Sequence, residues 1–249
     1  MAEAHQNAQD FRRVAAAYDL LIDEERRWAR ERPALERWLS AAGEGRKRVI
    51  DLGCGTGFHA RHLAGMLDAD AVAADPAPHM LEVGRAKPHG DRIQWICTPA
   101  EQPPPGPFDL ALLLGNTLSL ITDPVEVFRA VRRIVVTDGL FVMQTLDYDK
   151  LRQMGGEHRT ASGGGMSIEK RLTPHDAGSG VGAVLQITIR DDAGEVLAHQ
   201  ENSLLDHDPD ALISAAAENG WRVTERRASY EDGSDGNDRI LVFAREISR

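Results

Sequence analysis

The chain of 249 residues is 42% hydrophobic and 27% charged, with 29 Lys and Arg against 39 Asp and Glu, a formal net charge of −10. That size buries one sizeable core, which favours a single domain with elaborations over two independent ones. The acidic balance disfavours a polyanionic partner, no apolar run approaches the ~20 residues of a membrane-spanning helix, and Cys54 and Cys97 form neither a CxxC nor a metal-ligand spacing with a histidine. Nucleic acid, membrane and metal are therefore not expected. The polar, acidic start (MAEAHQNAQDF) lacks the apolar centre of a signal peptide and predicts a cytoplasmic protein.

Residues 10–39 read as helical, with Phe11, Val14, Tyr18, Leu21 and Ile22 at spacings of three and four. Pro33 is expected to interrupt that stretch or to open a second helix. Strand RKRVIDLG follows, then a helix from about Thr56 to Leu67, strand AVAAD ending in Asp75, a helix from Pro78 to about Arg85, and strand IQWIC. A Pro/Gly-rich loop (TPAEQPPPGP) leads into FDLALLLG, an apolar run suited to a central strand buried on both faces. Asp123 and Pro124 read as cap and first position of a helix reaching about Val136, and Gly139 closes the turn before strand LFVMQTL.

That alternation predicts a parallel, doubly wound α/β sheet. After Leu151 the texture changes. GGEH and SGGG read as glycine-rich loops, and GAVLQITIR and EVLAHQENSLL as a hairpin joined by DDAG. PDALISAAAENG then returns to a helix, and RVTERRASY and RILVFARE close the chain as strands. Residues 1–249 are thus expected to form one domain: N-terminal helices over 1–43, a cofactor-binding core over 44–151, an antiparallel insertion over 152–206, and a closing helix and strands over 207–249.

The most informative stretch is VIDLGCGTGFHA, residues 49–60. A β-branched run ends in Asp51, and Gly53, Gly55 and Gly57 follow at alternate positions, letting backbone N–H groups approach a ligand that a Cβ would keep away. Asp75, where the next parallel strand should end, suits a carboxylate that holds ribose hydroxyls. A dinucleotide fingerprint wants a third glycine at position 58, which is Phe58. Asp51, ahead of the glycines, would repel a pyrophosphate but suits a ligand with a free ammonium. No Lys-Ser/Thr follows, so a phosphate-binding loop is excluded. A tight strand–helix turn with no ligand is the plainer reading of the glycines, and a helix cap that of Asp75.

DLGCGTG with the following acid resembles motif I of class I S-adenosylmethionine-dependent methyltransferases, over about Tyr18 to Asp149 and again in the final helix and strands. The resemblance implies a Rossmann-like seven-stranded doubly wound sheet with its last strand antiparallel. It implies S-adenosyl-L-methionine as cofactor, with Asp51, Gly53, Cys54 and Gly55 at its methionine end, Asp75 on the ribose, and Pro76 and Met80 near the adenine. The family often has Asp-Ala after the third strand to read the adenine amino group. Here Pro99, Ala100 and Glu101 stand there, leaving the Ala100 N–H as donor and Glu101 either in that role or an exposed loop acid.

LLLGNTLSLI follows the fourth strand at the carboxyl edge, where ligands bind in open α/β sheets. Leu114 is counted there with the cofactor residues. Asn116-Thr117 replaces the Pro-Pro motif of DNA and some protein N-methylating enzymes. GNTL and the later LDYDKL resemble the glycine/sarcosine N-methyltransferase branch, which implies Asn116 near donor and acceptor, Tyr148 lining the acceptor pocket, and Tyr18 in an N-terminal lid over the cofactor. That branch's substrate-carboxylate arginine falls on Leu146, so glycine itself is not the expected acceptor. Asp147 and Asp149 flank Tyr148 and would face opposite ways on an extended segment. His158 and Arg159 are expected in a glycine-rich loop able to close over the pocket. Asn116, Tyr148 and His158 are the candidate catalytic residues, with Asp147 a further choice of base.

The expected activity is methyl transfer from S-adenosylmethionine to a small-molecule acceptor, at an amine nitrogen or else a hydroxyl. The alternatives are a non-catalytic S-adenosylmethionine-binding protein and an RNA or protein methyltransferase. A homo-oligomer is left open.

Overall fold

The computed structural model describes residues 15, 17–178 and 180–246; Phe11 and Val14 of the N-terminal pattern lie outside them. The chain divides into two compact units, one of Trp28–Asp147 with His207–Arg249, the other of Met1–Arg27 with Tyr148–Asp206.

In the larger unit, helix α1 (Glu24–Ala41, its first turn belonging to the other unit) leads to strand β1 (Arg48–Leu52), helix α2 (Phe58–Met66), β2 (Asp70–Asp75), α3 (Pro78–Arg85), β3 (Gln94–Cys97) and β4 (Phe108–Leu113). Helix α4 (Pro124–Ile134) and β5 (Val135–Leu146) follow. After the segment belonging to the other unit come α6 (Pro209–Glu218) and the last two strands of the chain, Trp221–Arg227 and Asp238–Arg245. Numbered in chain order these are β10 and β11, because the other unit supplies α5 (Tyr148–Gln153), β6 (Glu157–Gly163), β7 (Met166–Pro174), β8 (Val181–Asp191) and β9 (Val196–Leu205).

The seven-stranded sheet runs β10-β11-β5-β4-β1-β2-β3. Strands β1–β5 pair in parallel, and β11 is antiparallel to both β5 and β10, as the family resemblance implies. The wholly apolar strands follow from having two covered faces. Ile50, Leu52, Ala111 and Leu113 face Val127, Phe128 and Val131 of α4 and Leu212 of α6. Val49, Leu110 and Leu112, the alternate residues, face Leu35, Trp38 and Leu39 of α1 and Phe58 and Leu63 of α2. Phe128, Phe141, Trp221 and Phe243 pack with centroids 5.4–6.1 Å apart. Each face thus buries an amphipathic helix pair, which is what holds the strand ends in place for a site.

Three local expectations are corrected. Residues 10–39 are not one helix, because Ile22 is extended (φ −111°, ψ 112°) and Asp23 accepts the Arg26 N–H at 3.0 Å, capping a fresh start at Glu24. Pro33 neither breaks nor opens a helix; α1 runs through it. Pro33 and Ala29, whose carbonyl loses its i+4 donor, are both exposed, so the lost bond falls on the solvent side of the helix. Helix α4 stops at Ile134 rather than Val136, and β5 begins before Gly139, because Val135, Val136 and Thr137 are a β-branched run whose first residue pairs with Phe108 of β4, the pairing resuming at Leu140.

In the other unit β6–β9 form a four-stranded antiparallel meander. The expected hairpin is its second half. Ile168, Leu172, Ala183, Ile187, Ile189, Ala198 and Leu204 alternate along β7–β9 as its covered residues. Lys170 shares their face on β7, and burial lowers its ammonium pKa. The ring of Tyr148 on α5 occupies the space beside Gly182, where a Cβ would meet it at 2.5 Å. No helix among the described residues is long and apolar enough to cross a membrane.

Candidate functional site

The glycine loop lies between β1 and α2 at the carboxyl edge of the sheet. The Cys54 N–H donates to the Ala74 carbonyl at 3.1 Å, tying the loop to β2, and the Gly57 N–H closes the turn onto the Cys54 carbonyl at 2.8 Å. Asp51 is 2% exposed, and its Oδ2 accepts the Ala60 N–H of the first turn of α2 at 3.3 Å. Asp75 ends β2 as expected. Its Oδ2 accepts the Gly55 N–H at 2.8 Å and its Oδ1 the Ala77 N–H at 2.8 Å. Burial pushes the Asp75 carboxyl above the usual aspartate range, against the downward pull of those two N–H groups. Burial also pushes the Cys54 thiol well up, and the Asp51 and Asp75 carboxylates on either side add to it, so Cys54 stays a neutral thiol.

The three glycines have three different reasons to be glycine. All have positive φ (+64° at Gly53, +56° at Gly55, +73° at Gly57). A Cβ on Gly53 would stand 2.2 Å from the Thr117 Cγ2, and one on Gly57 would stand 2.3 Å from the Trp95 indole. Only beside Gly55 is there open space. Sequence reasoning gave all three to a ligand. Two of them also make room for side chains of this chain. The Trp95 ring also excludes a side chain at Gly84 and donates its Nε1–H to the Gly90 carbonyl at 2.8 Å.

Pro76, Met80, Ala100, Glu101 and Leu114 lie in the same unit as that loop. Pro76 is exposed directly after Asp75, and Met80 is half-buried on the first turn of α3. Ala100, 4% exposed, packs in the core face shared with Ile50 and Leu52, and Glu101 next to it is half-buried. Leu114 is buried at the end of β4.

Asn116 follows β4 in the left-handed conformation (φ +67°), opening the short 3-10 turn Thr117–Leu120. Its side-chain Oδ1 accepts the Leu146 N–H at 2.9 Å and the Ser119 hydroxyl at 2.8 Å, while its own N–H donates to the Gln144 Oε1 at 3.0 Å. The carbonyl half of the amide expected near the donor is therefore a pin between the ends of β4 and β5.

Sequence reasoning missed several members of this edge. Thr117 donates its hydroxyl to the Leu114 carbonyl (2.8 Å), with the Gly53 carbonyl also in reach (3.2 Å). His207 sits with its Nε2 at 3.2 Å and 2.9 Å from the Leu118 and Ile121 carbonyls, so that nitrogen carries the proton. Arg239 on β11 pairs with Asp147 at 3.1 Å, and the Gln144 amide donates to Asp238 at 2.7 Å. No spacing in the sequence signals these, because β11 is antiparallel and arrives from ninety residues away.

Tyr18, Tyr148 and His158 lie in the unit of Met1–Arg27 and Tyr148–Asp206. Burial raises the pKa of the Tyr18 phenol. Residues 148–153 form a helix, not the extended segment on which Asp147 and Asp149 would alternate; Asp149 is exposed and pairs with Arg152 at 2.6 Å. His158 and Arg159 are corrected from loop to strand β6. His158 is exposed and meets Glu169 across the β6–β7 pair at 2.9 Å, and with Arg171 it holds the Glu169 carboxyl below its ordinary pKa. GGEH and SGGG became the two ends of a strand because residues 157–163 pair residue for residue with β7.

Residues 49–139 match a protein-family model described as a methyltransferase domain, and the fold of the described residues is shared with solved methyltransferase structures. The matched stretch runs from β1 into β5 and includes the glycine loop, Asp75 and the 116–121 turn. A malonyl-[acyl-carrier protein] O-methyltransferase of Legionella pneumophila is 32% identical over 113 residues, 43% of this chain and 39% of that protein. The curated relatives it matches are spanned over 18–39% of their own length. Among solved structures, the CcbJ methyltransferase from Streptomyces caelestis superposes with a TM-score of 0.74 at 18% identity, covering 94% of this chain and 96% of that one. The sugar N-methyltransferase KedS8 from Streptoalloteichus superposes with a TM-score of 0.68 at 18% identity, covering 88% of each.

Proposed function

We propose that this chain transfers a methyl group from S-adenosylmethionine to a small-molecule acceptor, at an amine nitrogen in the first instance and otherwise at oxygen. The observation that carries the reading is at Gly55: its left-handed backbone opens onto free space while its N–H is fixed on the Asp75 carboxylate. Each Asp75 oxygen holds one backbone N–H and keeps a second lone pair for a ribose hydroxyl. Asp51, buried two residues before Gly53, supplies negative charge for the ammonium of the methionine end.

S-adenosylmethionine supplies an electrophilic methyl group on a good leaving group, so alignment and water exclusion are the main tasks left to the protein. Asn116, Tyr148 and His158 remain the candidates for orienting or deprotonating the acceptor. Nitrogen is put ahead of oxygen on the likeness of GNTL and LDYDKL to the glycine/sarcosine N-methyltransferase branch. The −10 charge and Asn116-Thr117 keep RNA and protein acceptors behind small molecules.

Calorimetry with S-adenosylmethionine and with NAD, followed by detection of S-adenosylhomocysteine across a panel of amino sugars, other amines and phenols, tests the reading. S-adenosylmethionine binding and turnover on an amine are expected. Tight NAD binding without S-adenosylmethionine binding overturns the cofactor assignment; binding with no turnover on any acceptor favours the non-catalytic alternative.

A further inference from the structure

Gly53 has no side chain because Thr117 occupies the place. A Cβ there would lie 2.2 Å from the Thr117 Cγ2, 2.9 Å from its Oγ1 and 3.0 Å from its Cβ. The same side chain has its hydroxyl between the Leu114 carbonyl (2.8 Å) and the Gly53 carbonyl (3.2 Å). One threonine thus fills a glycine's vacant side and shares its single proton between the end of β4 and the loop after β1.

Both sides of this contact are themselves anchored. On the glycine-loop side, Gly55 is two residues from Gly53 and is held by Asp75. On the other side, the Thr117–Leu120 turn is fixed from behind by His207 on the Leu118 and Ile121 carbonyls, and by Asn116 on Ser119 and the Leu146 N–H. Leu120, 58% exposed at the tip, is a large apolar side chain presented outward. A shift of the glycine loop therefore meets the turn at Thr117, and the turn transmits it to the ends of β4 and β5.

We propose that Thr117 is a positioning residue that couples cofactor occupancy of the glycine loop to the geometry of the 116–121 turn. The cofactor-loaded protein then presents Asn116 and Leu120 in one arrangement, and the acceptor binds after the donor. This inference rests on the S-adenosylmethionine reading above. The hydroxyl and the methyl act together: the first holds the carbonyl side, the second fills the Gly53 face. Serine keeps the first, valine only the second.

Hydrogen exchange with and without S-adenosylhomocysteine, read at the Ser119, Ile121 and Leu146 amides, tests the coupling apart from any acceptor. In the wild type, ligand is expected to slow exchange at these amides as well as at Gly55 and Ala77. Thr117→Val is expected to keep the ligand effect at Gly55 and Ala77 and to lose it at Ser119, Ile121 and Leu146, with Thr117→Ser, which keeps the hydroxyl, restoring part of it. Thr117→Ala, which leaves a gap rather than a misplaced methyl, serves as the second variant if the valine protein does not fold. Undiminished protection of the turn in folded Thr117→Val or Thr117→Ala overturns the coupling alone. Failure of the wild type to bind S-adenosylhomocysteine overturns the cofactor reading and the coupling with it.

Discussion

The Trp95 indole stands where a side chain at residue 57 would go, with ring carbon Cη2 2.3 Å from the position of a Cβ on Gly57. The third glycine of the motif is thus a packing glycine, and its replacement should be read in stability before it is read in binding. Gly57→Ala is expected to lower stability by ~1–3 kcal/mol through overpacking, with left-handed strain of about 1 kcal/mol on top. Trp95→Leu in the same chain should recover the overpacking part and leave the strain. Urea denaturation of both single variants and the double measures this, and a coupling below ~0.5 kcal/mol would mean the two residues act independently.

Asp75 makes opposite pH predictions for stability and for binding. Its carboxyl is raised above the ordinary range by burial, so the folded protein holds that proton more tightly than the unfolded chain. The favourable contribution of the protonated form is present at low pH and fades as pH rises from the ordinary value through the raised one. Cofactor binding runs the other way, since the carboxylate is the form that accepts ribose hydroxyls while holding Gly55 and Ala77. S-adenosylhomocysteine affinity should fall as pH drops, with a midpoint above that of a free aspartate. Asp75→Ala should cost ~1–3 kcal/mol of affinity at neutral pH and abolish this limb of the pH profile. Calorimetry over a pH series checks both.

The sheet was legible because its signals are local: the near-continuous apolar runs in VIDL and FDLALL, Asp123-Pro124 at the start of α4, and the glycine run itself. Asp75 was legible because parallel strands alternate with helices and end at one edge. What escaped was pairing at a distance. Thr117 against Gly53, Trp95 against Gly57 and His207 behind the turn join residues that no periodicity links. The β6 strand escaped for a different reason: glycines at both ends of residues 157–163 read as loop, and only pairing with β7 makes the segment a strand.

Asn116 offers a way to separate backbone strain from its hydrogen bonds. Alanine at φ +67° keeps the strain and removes the acceptor for the Leu146 N–H and Ser119 hydroxyl; glycine removes both. Loss of the acceptor should cost ~1–3 kcal/mol in either variant, and Asn116→Gly should be the more stable by about 1 kcal/mol. Equal melting temperatures for the two would show that the left-handed backbone is unstrained for alanine here. Turnover lost to the same extent in both would place the amide itself, and not the loop conformation, in the acceptor step.

Glu31 on α1 and His59 on α2 form a buried pair at 2.8 Å, with side chains 1% and 7% exposed, beneath the helix that leaves the glycine loop. Arg30 reaches the other Glu31 oxygen at 2.8 Å, and Trp28, Phe58 and His62 stack beside it with centroids 4.5–4.7 Å apart. Removing His59 leaves Glu31 held by Arg30 with one oxygen facing an apolar side chain. His59→Leu should destabilise by ~1–3 kcal/mol, whereas Glu31→Leu combined with His59→Leu should recover most of that loss, because an apolar pair of similar volume carries no desolvation penalty. The pair would then be a device for fixing α1 on α2 rather than a net source of stability. Chemical denaturation of the two singles and the double decides it: a double variant no more stable than either single would show that the pair is a net source of stability.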